Sequence, residues 1–285
     1  MSIADRSGGT AHDLKSIDPH TYKEESLRRI LVIATALGVL VAAASAYAAI
    51  NTYSASLGFT SKKAGSASKP VPIGYTQDIK ATGTNGNRTA ILLDINTKIY
   101  GLTADGKDFP TCSLSKIAAA HNDTVCPKGA KVATGDITAS LGGQSDFKAV
   151  GAACDPNLDV WNSGQGKLTY FFVDTPTHQC LSGALQTGST GPYPATYKTQ
   201  GKYLVVNVPI PKYIYYPAPS LAGSLETEHL VWVKASKKVK GKTVAAIASV
   251  ACQGNKRPYS MTFTSTLPPA GPAKEVDTVS KSAPC

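Results

Sequence analysis

The chain has 285 residues, six cysteines and a formal net charge of +10. Its first 48 residues carry five basic and five acidic side chains, so the remaining 24 Lys and Arg against 14 Asp and Glu hold the whole excess. That charge is scattered, so we expect no nucleic-acid partner, and the absence of long amphipathic runs excludes a helical bundle.

An uncharged apolar run occupies residues 30–50, directly behind the basic pair Arg28-Arg29. In one interpretation it is a signal peptide that is cleaved after Ala48 at a small-x-small site. In the other it is an uncleaved anchor, since 21 apolar residues can cross a hydrocarbon layer of about 30 Å, with the polar leader 1–29 inside the cell. Both interpretations predict an extracytoplasmic domain at 76–285, either secreted or membrane-tethered.

Residues 51–75 are small and polar, which predicts a flexible linker. Beyond it, runs of apolar and β-branched residues broken by Gly, Asn and Pro predict strands at Thr89–Ile95, Lys98–Leu102, Lys131–Ser140, Leu168–Asp174, Tyr203–Val208, His229–Lys234, Thr243–Ala251, Tyr259–Thr264 and near Glu275–Ser280.

Several of these strands are apolar at successive positions, as in Leu204-Val205-Val206 and Leu230-Val231-Trp232-Val233. Such runs predict strands that are covered on both faces. The one helix indicated is Ser113–Ala120, with Ser113 as its N-cap. The sequence therefore predicts an all-β, mainly antiparallel, sandwich-like domain with one short helix.

The six cysteines allow 15 pairings. Closeness along the chain favours Cys112–Cys126, which would tether the helix, together with Cys154–Cys180 and Cys252–Cys285. Metal ligation is the alternative, but no pair has the two-residue spacing that is typical of structural zinc. Because the domain is expected outside the cytoplasm, we predict three disulfides, no metal and no cofactor.

Motifs of catalysis match only in part. Ser113 to Lys116 fits S-x-x-K, but its companion motifs are missing. Lys242-Thr243 lacks the first glycine of a phosphate loop, and Asp155, Asn157 and Asp159 lack the glycine and glutamate of a calcium loop. His121, His178 and His229 stand in no zinc pattern. We therefore expect no enzyme, although a triad assembled from distant residues stays open.

The Tyr/Pro segment at 209–220 places Tyr213, Tyr215 and Tyr216 between prolines that stiffen the backbone. Aromatic rings displayed in this way suit a ligand mouth, a carbohydrate platform or a membrane rim. The alternative is that the rings fold back onto the sheet as a plug.

Lysines cluster at one place, Lys234, Lys237, Lys238, Lys240 and Lys242. With Gly241 among them, the pattern predicts a hairpin turn. Its lysines either protect sheet edges as solvated side chains or form a basic surface for an anionic envelope polymer.

The segment Asp108 to Cys112, followed by a short helix, Cys126 and the strand from Lys131, resembles an uncharacterised group of secreted actinobacterial proteins. Leu158 to Asn162 and the final Ser282 to Cys285 are similar to the same group. The resemblance covers roughly residues 85–285 and implies pairing of Cys112 with Cys126 and of Cys252 with Cys285. It brings no known activity. Cys154 and Cys180 depart from the pattern.

The sequence favours an exported, non-enzymatic envelope or secreted protein that binds an apolar or glycan ligand near the Tyr/Pro segment. A structural protein that adheres to anionic envelope polymers is the alternative, and a hydrolase is third. The first requires an apolar pocket on the order of 300 Å³ or more. The second requires clustered surface lysines, and the third a catalytic constellation in a cleft.

Overall fold

The computed structural model describes residues 51–84, 87–144, 152–180, 190–267 and 274–285. These belong to one compact unit, Ala49–Cys285. The leader 1–29 and the apolar segment 30–50 lie outside the described residues. Across the described ranges, no helix combines the length and apolarity that a membrane crossing requires.

The elements of the described residues are mostly strands. They are β1 Asn51–Phe59, β2 Val71–Pro72, β3 Tyr75–Gly83, β4 Ile91–Tyr100, β5 Leu102–Ala104, α1 Leu114–Ala120, β6 Lys131–Gly143, β7 Ala152–Cys154, β8 Asn157–Asn162, β9 Lys167–Val173, β10 Tyr193–Gln200, β11 Tyr203–Pro209, α2 Lys212–Tyr215, β12 Leu221–Trp232, β13 Ser236–Val239, β14 Lys242–Ala245, β15 Ile247–Ser249, β16 Lys256–Thr266 and β17 Lys274–Pro284.

Twelve strands form a single antiparallel sheet, which confirms the all-β class. Their order is β1-β3-β12-β6-β8-β9-β10-β11-β4-β16-β17, and β7 pairs with β6. Where the sequence suggested a sandwich, this sheet curves until its first and last strands meet, as a near-barrel. A sandwich and a near-barrel bury the same alternating residues, so the sequence pattern does not distinguish them.

Contacts of β1 with Phe263 and Ser265 of β16 and with Glu275 of β17 close the seam between the two ends of the sheet. The Tyr53 hydroxyl lies 2.6 Å from the Ser265 hydroxyl, and the rings of Tyr53 and Phe263 stack with centroids 4.1 Å apart. The Asn51 backbone N–H donates to the Glu275 carboxylate at 3.4 Å. The interior of the curved sheet is thereby enclosed.

The first part of the predicted linker is a strand. Residues 51–59 form β1, which pairs with β3 along its full length, from Asn51 opposite Gly83 to Phe59 opposite Tyr75. Asn51 is buried, and its side-chain oxygen accepts a hydrogen bond from the Ala90 N–H at 2.8 Å. Small polar residues are compatible with an edge strand when alternate positions, here Ala55 and Leu57, are buried.

Helix α1 begins after Ser113, whose hydroxyl accepts the Lys116 N–H as predicted for an N-cap. It packs on the outside of the sheet, where Ile117 contacts Trp161 and Phe171. Strand β9 is consequently buried on both faces. The same prediction is wrong for β12, because Val231 is 38% exposed.

All three disulfides that closeness along the chain favoured are present, Cys112–Cys126, Cys154–Cys180 and Cys252–Cys285. The first tethers α1 to the sheet. The last joins the end of β17 to the turn before β16. These bonds are consistent with an extracellular location.

A small sheet of β2, β15 and β5 covers the end of the near-barrel at which β12 finishes. Its residues Ile73, Leu102 and Ile247 belong to the same core as Trp232. The Tyr/Pro segment, which contains α2, connects β11 to the start of β12. A short helix there was not predicted, since four residues give no helical period.

Candidate binding site

An apolar cavity of about 90 Å³ lies inside the near-barrel, below the Tyr/Pro segment. Seven strands, β4, β6, β7, β8, β9, β10 and β12, supply its wall. The wall is largely apolar, through Leu92, Ile95, Ile137, Leu158, Phe172 and Leu225. The disulfide Cys154–Cys180 also lines it.

The register of β12 and β6 gives the cavity its depth. Near the start of β12, Gly223 lies opposite Leu141, and deeper inside, Glu228 lies opposite Ile137. All four residues line the cavity. The distance from Leu141 to Ile137 is about 13 Å, since a strand rises roughly 3.3 Å per residue. The cavity, called the channel below, has a volume of about 90 Å³, which is the space of a few methylene groups.

A β-bulge in β12 brings two residues three positions apart to the same cavity. The register with β6 shifts between Leu225 and Thr227, so Glu226 is the extra residue. As a result both Leu225 and Glu228 face inward. Without the bulge, strict alternation would place them on opposite faces of the sheet.

Among the described residues that line the cavity, Glu228 is the one with a carboxyl group, and we call its end of the cavity, away from the Tyr/Pro segment, the floor. Its side chain accepts a hydrogen bond from the Gln77 amide at 2.6 Å, and both residues are buried. Burial in this apolar environment raises the pKa of the Glu228 carboxyl to about 7, while the bond from Gln77 opposes the shift. The group therefore changes charge near neutral pH.

Three tyrosines surround this carboxyl from neighbouring strands, Tyr75 of β3, Tyr170 of β9 and Tyr193 of β10. Burial, first of all, and then the charge of Glu228 raise the pKa of each phenol, so the three stay neutral. None of them supplies a positive charge to balance the carboxylate.

The three tyrosines of the predicted Tyr/Pro site lie in different environments. Tyr215 lines the cavity together with Ile214 and Pro217. Tyr216 packs edge-on against the Tyr215 ring, with centroids 4.8 Å apart. Tyr213 points elsewhere: its hydroxyl donates to the Pro192 carbonyl at 2.9 Å, and the residue is 43% exposed. The segment thus covers the interior and also contributes to a cavity, and ligand binding by its tyrosines stays a prediction.

The lysine cluster forms the predicted hairpin, β13 and β14. Its turn residues Lys240 and Gly241 have φ of 49° and 76°, which suits a two-residue hairpin loop. All five cluster lysines are exposed. Among the described residues none of the five forms an ion pair, although the Lys238 ammonium donates to the Thr243 hydroxyl at 2.8 Å.

A serine, an aspartate and a histidine meet on the outer face of the sheet. The Ser56 hydroxyl donates to Asp78 at 3.2 Å, and His229 Nδ1 lies 2.6 Å from the other oxygen of Asp78. A catalytic relay places the histidine between the serine and the carboxylate, whereas here the carboxylate is in the middle. This row does not activate the serine.

Asp159 lies inside strand β8 and not in a calcium loop. Its carboxylate forms an ion pair with Lys131 and accepts a hydrogen bond from the Thr134 hydroxyl at 2.7 Å. Within the described part of the chain, no group of three His, Cys, Asp or Glu side chains is arranged for a metal ion.

Comparison with protein-family models, with curated proteins and with solved structures finds no match to this chain.

The sequence interpretation overlooked Glu228 and Gln77, although a signal for both exists. Glu228 shares its strand face with Leu230 and Trp232, and Gln77 shares its face with Tyr75 and Ile79. A polar residue in phase with buried ones on a strand predicts an inward-facing polar group.

We predict that Glu228→Gln removes a pH-dependent loss of stability. The folded state holds the carboxyl proton more tightly than the unfolded chain, where the pKa is near 4.5, so stability falls as the pH rises from about 4.5 to 7. This costs the wild type roughly 3 kcal/mol at pH 8. Urea unfolding at pH 4.5 and pH 8 measures this effect. At pH 8 the free energy of unfolding of the variant should exceed that of the wild type by most of that difference.

The control is Glu226→Gln, which removes one negative charge from the same strand outside the cavity. Parallel pH profiles for the wild type and Glu228→Gln would contradict the prediction.

Proposed function

We propose that this protein is an extracytoplasmic, non-enzymatic binding protein that holds a small apolar ligand in the cavity of its near-barrel. The observation that carries this proposal is an apolar channel with a single carboxyl at its floor. Binding sites for small molecules combine mostly apolar walls with a few placed polar groups that fix orientation.

The volume limits the ligand. At about 90 Å³, the cavity is smaller than the roughly 300 Å³ expected for a site that encloses a whole small molecule. Large rings such as Phe172 and Tyr193 occupy much of the interior. The space suits a narrow hydrocarbon chain, with any bulkier part of the ligand left near Tyr215 and Pro217.

The arrangement of polar groups favours binding over hydrolysis. The Ser56, Asp78 and His229 row has the wrong order for a relay, and it lies on the outer face. Glu228 has no nucleophilic partner, since its hydrogen bond comes from the Gln77 amide. A buried polar group of this kind suits ligand orientation.

We predict that 1-octanol binds the wild type at one site and that Ala139→Phe weakens this binding roughly tenfold or more. Ala139 lines the cavity, and a phenyl ring there would occupy the space that the ligand needs. Isothermal titration calorimetry measures the affinity. Ala119→Phe, at an exposed position of α1, is the matched control.

Circular dichroism establishes whether both variants fold. If Ala139→Phe does not fold, Leu225→Phe provides a second cavity-filling variant. Failure of the wild type to bind octanol, or equal affinity in the wild type and a folded cavity-filled variant, would count against the proposal.

Export with cleavage after Ala48 is part of this proposal. Strand β1 starts at Asn51, whose side chain is buried, so an uncleaved anchor ending at residue 50 would enter the sheet with no linker. A chain that begins at Ala49 would contain the whole compact unit. We expect mass spectrometry of the protein from its native host to find Ala49 as the first residue. A peptide that spans Ala48 and Ala49 in the mature protein would instead indicate an anchor.

Adhesion to an anionic envelope polymer is a second candidate, favoured by the hairpin of β13 and β14. Its five lysines are exposed and lack carboxylate partners among the described residues. A compact cluster of unpaired positive charge attracts a polyanion and does so less at high salt.

We predict that Lys234→Gln, Lys240→Gln and Lys242→Gln together lower the salt concentration needed to elute the protein from immobilised dextran sulfate. The matched control replaces Lys62, Lys63 and Lys69, which are also exposed. Both triple variants lose the same net charge, so only a local basic surface predicts different elution. Identical elution of the two triple variants would contradict this prediction and indicate that the hairpin lysines are solvated turn residues.

A further inference from the structure

Glu228 is a buried acid, and no described residue that lines the cavity brings it a positive charge. Twenty described residues line the cavity, and none is Lys, Arg or His. Its hydrogen bond comes from an uncharged amide, and the phenols of Tyr75, Tyr170 and Tyr193 face it from β3, β9 and β10. A carboxylate left unpaired in apolar surroundings is unfavourable. A cation that binds beside it would therefore lower the free energy of the charged state.

The shape of the cavity restricts which cationic ligands can reach Glu228. Ile137 and Leu141, two lining residues of β6, lie about 13 Å apart at roughly 3.3 Å per residue, and the cavity volume is small for that span. Ile137 and Leu158 line it near Glu228, and Leu141 and Pro217 line it further out. These apolar walls suit an alkyl group, and the volume of about 90 Å³ admits the few methylenes next to the ligand's polar atom.

We propose that the cavity binds a linear primary amine, with its ammonium group against the Glu228 carboxylate and its alkyl chain extending toward Tyr215 and Pro217. This inference rests on the proposed function, because it specifies the ligand of the same cavity. An ammonium donates charge-assisted hydrogen bonds to a carboxylate, which are stronger than neutral ones.

Other ligands of the same length fit less well. A fatty acid would place a second carboxylate beside Glu228, and like charges in a buried site repel. An alcohol would fill the channel but leave the Glu228 charge uncompensated. The order of affinity expected at pH 8 is therefore amine, alcohol, carboxylate.

The experiment titrates the folded wild type with n-octylamine, 1-octanol and octanoate at pH 8 by calorimetry. We expect octylamine to bind roughly tenfold tighter than octanol, and octanoate to bind more weakly than either. Glu228→Gln should lose roughly tenfold in octylamine affinity while octanol affinity changes less than about threefold. Glu226→Gln, outside the cavity, should leave all three affinities unchanged.

A second measurement detects the proton that Glu228 releases when the amine binds. Because an adjacent ammonium favours the carboxylate form, octylamine binding at pH 6.5 should release a proton from Glu228. Titration in two buffers of different ionisation enthalpy measures that release. Glu228→Gln should abolish it, and octanol should not cause it.

The outcomes separate the two proposals. Octanoate binding as tightly as octylamine, or octylamine affinity unchanged by Glu228→Gln, overturns the amine assignment. If Ala139→Phe still blocks binding in that case, the cavity remains an apolar ligand site. If none of the three ligands binds the wild type, the proposed function fails, and the amine assignment fails with it.

Discussion

Closure of one curved sheet on itself is the constraint on which the rest of this structure depends. Strands β1 and β17 are its edges; the Asn51 N–H of β1 donates to Glu275 of β17, and Tyr53 of β1 contacts Phe263 and Ser265 of the neighbouring β16. An open sheet of this length would expose its inner face to water. Once the seam is closed, that face becomes a desolvated interior, and a carboxyl group on it acquires an unusual pKa.

The interior holds a polar pair that does not serve stability at neutral pH. Glu228 and Gln77 satisfy each other in part, but ionisation of the carboxyl opposes folding. Apolar residues at both positions would give a more stable core. Buried groups that reduce stability are found where function requires them, which is why we place the ligand's polar atom at Glu228.

The two proposed activities use separate parts of the molecule. The cavity lies within the twelve-stranded sheet, whereas the exposed lysines belong to the independent hairpin of β13 and β14. A protein that adheres to an anionic polymer through this hairpin would leave the Tyr/Pro segment and its cavity available. Substitutions in one region should therefore leave the other unaffected, since distant sites contribute independently.

The sequence by itself determined the β class, the helix after Ser113, the lysine hairpin and a disulfide pairing by closeness along the chain, because each depends on local composition or spacing. It missed β1, β3 and β10, in which polar and small residues alternate with a few buried ones. Only the tertiary structure decided that one sheet closes into a near-barrel. It also decided that a bulge at Glu226 makes Leu225 and Glu228 face the same cavity. The physical reason is that burial, pKa and cavity shape arise from strands far apart in sequence, whereas a sequence pattern reports only which face of its own strand a residue occupies.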